Sequence, residues 1–164
     1  MIRARGFTVI EALLVLAGVA VIFAFALEAS SGIQKAAEGQ GGVAAARDAF
    51  TLASERARLG VAESPWGVYL AYNEVTRVAE SITVFAGASY TLRNPSYDLV
   101  VTLRPSLRVP NAALAGAGVS GGSDHEAVFA ALDARTTQYG SVTFQVNDVQ
   151  TLLQISSFGT VGEP

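Results

Sequence analysis

From Phe7 to Leu27 the chain carries 21 residues and a single charged side chain, Glu11. As a helix rising 1.5 Å per residue this run would be roughly 31 Å long, about the thickness of a bilayer's hydrocarbon core, so the pattern predicts a membrane-spanning helix. The next stretch, EASSGIQKAAEGQGG over residues 28–42, has glycines at 32, 39, 41 and 42. Each costs a helix about 0.8–1 kcal/mol relative to alanine, and a kink or local melting is expected there. Helical spacing resumes over 43–60, where Val43, Ala46, Phe50, Ala53 and Ala57 form a stripe opposite Asp48, Glu55 and Arg56. Gly60 is placed to stop it.

Beyond Gly60 the period shortens. Runs at 66–72, 81–87, 97–103, 126–132, 141–146 and 150–156 are rich in β-branched and aromatic residues and are separated by Gly, Asn, Asp or Pro. Asn147-Asp148 between the last two suits a tight hairpin. The expected fold is α+β: a long N-terminal membrane-spanning helix packed against an antiparallel β-sheet domain over 61–164.

Composition narrows the chemistry. Cysteine is absent, which excludes a disulfide framework, a thiol nucleophile and a cysteine zinc site. The formal net charge is −3. Two of the 11 basic residues, Arg3 and Arg5, precede Phe7, so without residues 1–6 the balance is 9 basic against 14 acidic. A chain at −5 lacks the footprint of a general nucleic-acid binder. Arg3 and Arg5 on the short side of the apolar run, with Glu28 just after it, place the N-terminus in the cytoplasm.

Taken by its residues, the apolar run admits three readings. Ala24-Phe25-Ala26 is an acceptable site for a secretory signal peptidase after a basic start, although the run is long and Glu11 sits awkwardly within it. A plain single-pass anchor explains the length and leaves Glu11 unexplained. The third reading rests on the string Gly6-Phe7-Thr8-Val9-Ile10-Glu11 directly before the apolar helix. This string resembles the class III leader of type IV pilins and pseudopilins.

That resemblance implies that prepilin peptidase cuts between Gly6 and Phe7, that Phe7 is N-methylated, and that Glu11 becomes the fifth residue of the mature chain. Glu11 then stands one helical turn from a new ammonium, near the positive end of the helix macrodipole. By the same resemblance it pairs with the N-terminus of a neighbouring subunit during assembly. Further on, SPWGVYL, ITVFAGASYTLRNPSYD and ISSFGTVG look like the GspH/FimT group of minor pseudopilins. The implied role is a minor subunit of a type II secretion system or type IV pilus filament, acting in initiation or at the tip and not as an enzyme. Its partners would be the peptidase, other pilin or pseudopilin subunits, the inner-membrane assembly platform and the cytoplasmic membrane. The implied location is single-pass in the inner membrane, with the β domain extracytoplasmic, and then in the filament. The competing implication is a competence-type pilin that binds DNA, which the charge balance and the cation-free tail SFGTVGEP disfavour.

Candidate sites outside the leader are sparse. Asp124, His125 and Glu126 follow a glycine-serine loop, and Asp124 and Glu126 are the weak candidates for a metal. Three consecutive residues point in different directions, so a solvated loop is the simpler reading. His125 is the only histidine, and no serine motif accompanies it, so no catalytic triad is expected. No cofactor is expected either. Arg104 and Arg108, with Arg56 and Arg58, suggest a small basic patch. Trp66 and the tyrosines at 69, 72, 90, 97 and 139 read as core and sheet-face residues.

Overall fold

A computed structural model describes residues 9–114 and 125–163, with the backbone alone over 26–39. Helix α1 runs Val9–Arg58. A short 3-10 turn at Val61–Glu63 follows, and then eight strands: β1 (Trp66–Tyr72), β2 (Ala79–Ala86), β3 (Asn94–Thr102), β4 (Leu107–Ala113), β5 (Glu126–Phe129), β6 (Gly140–Val146), β7 (Val149–Ile155) and β8 (Val161–Gly162). The chain divides into two compact units, Met1–Ala36 and Ala37–Pro164.

In the larger unit the strands pair antiparallel in two sheets of four. Sheet A has the order β3-β2-β1-β5 and sheet B the order β4-β6-β7-β8. Alternation puts Trp66, Val68 and Leu70 of β1 and Ile82 and Val84 of β2 into the interior, each fully buried. Val142 and Phe144 of β6, with Leu153 and Ile155 of β7, do the same from sheet B. Between them lies the stripe of α1: Ala46, Phe50, Ala53 and Ala57 are completely buried, and Val43 packs partly against the same core. Alanine at three of these positions lets the helix approach the sheets closely, and Phe50 fills the space that remains.

Polar contacts fix the C-terminal end of α1. The buried Ser54 hydroxyl donates to the Gly159 carbonyl at 2.8 Å, and the Leu132 N–H donates to the Ala57 carbonyl at 2.7 Å. The second bond satisfies one of the carbonyls that a helix end leaves open. Gly60 ends the helix in the left-handed region at φ 63°, which glycine adopts without a Cβ penalty. The Trp66 indole N–H then donates to the Val61 carbonyl at 2.8 Å, tying the turn to β1.

Two expectations are corrected. First, the strands do not make one sheet but two. Two strands lie outside the six predicted runs, β8 and β4, and β4 is what starts the second sheet: it contains Pro110, and two residues, Val109 and Pro110, stand opposite the single Phe144 of β6. A bulge on an edge strand is where a proline fits into a sheet. Second, among the described residues no helix is long and apolar enough to cross a membrane. The membrane-spanning element of the expected fold class and the single-pass inner-membrane location both fall with that finding. The backbone is helical through residues 28–42, the stretch read as a weak stem. Gly42 shows one reason for its composition: a Cβ there would lie 3.0 Å from the Leu107 side chain, so glycine permits close packing on β4.

Because Phe50 is the largest side chain of the buried stripe, Phe50→Ala is expected to lower the unfolding free energy by about 3–5 kcal/mol. Urea denaturation followed by the fluorescence of Trp66, the only tryptophan, measures it. A loss below about 1 kcal/mol would mean that the core closes without this contact.

Candidate functional site

Two surfaces concentrate the residues singled out by sequence. The first is the described part of the smaller unit. Every residue from Val9 to Phe25 is exposed, including Ile10 (71%), Leu14 (70%), Ile22 (69%) and Phe25 (69%). The apolar side chains lie on all sides of this segment, the signature of a helix that is covered in its working state. Glu11 occupies the first turn of α1, where a carboxylate meets the positive end of the macrodipole. Gly6 and Phe7, the expected cleavage and methylation positions, lie outside the described residues.

The second surface is the outer face of sheet A. Here an aromatic column forms that sequence reasoning did not anticipate as a unit. The rings of Tyr69 and Tyr90 stack at 3.8 Å with 10° between their planes. The Arg93 guanidinium lies 3.8 Å from the Tyr90 ring on a cation–π contact. Tyr72 and His125 stack at 4.2 Å, and His125 is 5.9 Å from Tyr69. Phe85 is completely buried beneath this layer, edge-on to Tyr90 at 5.7 Å. Gly67 makes room for it, since a Cβ there would come within 2.5 Å of the Phe85 ring.

Charges lock the column in place. Arg93 Nε donates to Asp98 Oδ2 at 2.8 Å, and its Nη1 donates to the Tyr90 carbonyl at 2.7 Å. The hydrogen bond to Asp98 holds the Arg93 guanidinium above its already high usual pKa. Glu126 accepts the Tyr90 backbone N–H at 2.9 Å. Burial, with smaller contributions from Tyr90, Glu126 and Glu74, raises the Tyr69 phenol above its usual value. The segment 87–93 is thereby pinned over β1 and β2, and the only sequence signal for it was the clustering of Tyr, Arg and Asp in GASYTLRNPSYD.

Only one of the two metal candidates is described. Asp124 lies outside the described residues. Glu126 is engaged with Tyr90, and His125 places Nδ1 3.0 Å from the Leu70 carbonyl and Nε2 3.6 Å from Glu74. Among the described residues no group of three potential ligands is gathered. The arginines expected to form a patch have different duties. Arg56 lies 4.6 Å over the Trp66 ring, and Arg58 donates to the Phe158 carbonyl at 3.3 Å. The backbone of Arg108 forms an isolated antiparallel bridge with that of Val78.

Comparison with protein-family models, with curated proteins and with solved structures finds no match to this chain.

A raised phenol pKa fixes a sign. The fold favours neutral Tyr69, so this contribution to stability is complete below the unfolded value near pH 10 and is lost as pH rises through the higher folded value. Tyr69→Phe is therefore expected to flatten the fall in stability between about pH 9 and pH 11. Urea melts of both proteins across that range provide the check, and parallel curves would show that the phenol ionises as freely in the fold as in the open chain.

Proposed function

We propose that the protein is a minor subunit of a type II secretion or type IV pilus filament, cut by prepilin peptidase between Gly6 and Phe7. The observation that carries this reading is the exposed, all-round apolar helix Val9–Phe25 with one carboxylate, Glu11, in its first turn. A surface of that kind costs free energy in water, roughly 1.5–3 kcal/mol for each large aliphatic or phenyl side chain left uncovered. Neighbouring helices of the same kind remove the cost together, and repetition of such a contact builds a filament when it is head to tail.

Glu11 supplies register in this scheme. Cleavage leaves a positive amine at Phe7, and a carboxylate buried among apolar helices is tolerated only when paired. A neighbour docked one turn out of place leaves both charges uncompensated. The outer face of sheet A in the larger unit is organised by stacking and ion pairing, which suits a structural or recognition role.

The decisive measurement is the N-terminus of protein isolated from its native host. N-methyl-Phe7 is the expected first residue, whereas Leu27 or an intact Met1 would sink the proposal. With the N-terminus established, Glu11→Ala should be cleaved normally yet fall roughly tenfold or more in the filament fraction, because breaking a buried pair costs several kcal/mol. Normal incorporation of that variant would remove the pairing role.

A further inference from the structure

Sheet A is covered unevenly on its core side. Val84 of β2 is completely buried, but its register partner on β3, Leu99, is 44% exposed on the same face, and Val101 beside buried Ile82 is half-buried. The uncovered strip runs along α1 as an open groove of about 480 Å³ whose apolar lining includes Ala45, Ala49, Leu52, Val84, Leu99 and Val101. Asp48, Thr51 and Glu55 of α1 line it as well, and no cation does. The groove has no convergent set of polar groups that would orient a small ligand. It is bounded by a sheet below and a helix at the side, the space that a second helix fills in a layered domain.

We propose that this groove seats the uncharged segment Val15–Phe25 of α1 from a second copy of the chain, an assignment that deepens the filament reading and rests on it. Three observations select that occupant. The segment is apolar, exposed on every side and without any charge, so it meets Asp48 and Glu55 with no like-charge repulsion, whereas the turn carrying Glu11 would be repelled. Its 11 residues match the 11 from Ala45 to Glu55 that run beside the groove, both about 15 Å as helix. Finally, β3 is a poor template for an added strand: residues 95–98 stand opposite the single Phe85, and Pro95 has no N–H to offer. The contact joins different surfaces of two copies, so it can repeat head to tail from one copy to the next.

The absence of cysteine makes the test clean. Two differently tagged full-length copies are co-expressed in the native host, one carrying Leu99→Cys and the other a single cysteine moved in turn through Val15–Phe25, and the cells are oxidised. Links between the two tags are expected at positions recurring every three to four residues, the signature of a seated helix. Adding Leu52→Asp to the first copy should cut the yield roughly tenfold or more, since a charge would be placed in an apolar contact. Links between two Leu99→Cys copies without any to the helix would show edge pairing by β3 and overturn the assignment, as would an absence of links at every position. The N-terminus of the same preparation is read separately. N-methyl-Phe7 without links defeats the groove assignment alone, while periodic links with an uncut leader uphold the groove and defeat the filament reading.

Discussion

The larger unit depends on one contact: the burial of an alanine-rich stripe of α1 against two sheets at once. Ala46, Ala53 and Ala57 contribute little area each, but their size lets Phe50 reach residues from both sheets within one core. Larger side chains in their place would push the helix away and open the seam between sheets A and B. The Ser54 bond to Gly159 sits in the same stripe, and it brings the β7–β8 end of sheet B to the helix with a buried, satisfied polar pair. Gly159 itself is at φ 72°, and a Cβ there would collide with the Ala134 carbonyl, so the loop can approach α1 only as glycine.

The upstream part of the same helix obeys the opposite rule. Over Val43–Ala57 most apolar residues face the core while Ala45 and Leu52 are left at the groove, so burial against one body satisfies most of the segment. Over Val9–Phe25 there is no polar face to leave in water. One helix thus contains a segment whose solvent problem is largely solved within its own domain and a segment whose whole surface is left for other molecules. Glu11 is the single exception in the second segment, and its place in the first turn is where the helix itself offers some compensation.

Several elements were legible because their signals are local. The stripe from Val43 to Ala57 follows directly from 3.6-residue spacing, and six strand segments follow from alternation and turn residues. Asn147-Asp148 does connect β6 to β7, with Asn147 in the left-handed region at φ 53°, a conformation that asparagine tolerates. What was not legible depends on partners distant in sequence. Pro110 argued against β4, because the bulge that accommodates it is defined only by its pairing with β6. The division into two sheets is likewise a property of pairing, since the same six alternating runs serve one sheet or two. The column of Tyr69, Tyr90 and His125 draws on residues 55 or more positions apart at its extremes, and only the fold brings them into contact. The engagement of Glu126 is hidden for a related reason: its oxygen accepts the Tyr90 backbone N–H, a partner that no local motif announces.

The edge of sheet A shows how these local and distant constraints meet. An exposed edge strand is a hazard because its open N–H and C=O groups invite pairing with another chain. In β3 the excursion of residues 95–98 and the proline at its start break that edge, while Arg93 holds Asp98 through a short charge-assisted bond. The edge is therefore blunted against strand addition, yet Leu99 and Val101 on the adjoining face remain uncovered. A sheet that needed only to avoid aggregation would have polar residues at both positions. Keeping the face apolar while spoiling the edge selects for a partner that packs by side chains and brings its own backbone hydrogen bonds already satisfied. An α-helix meets that description and an extended strand does not.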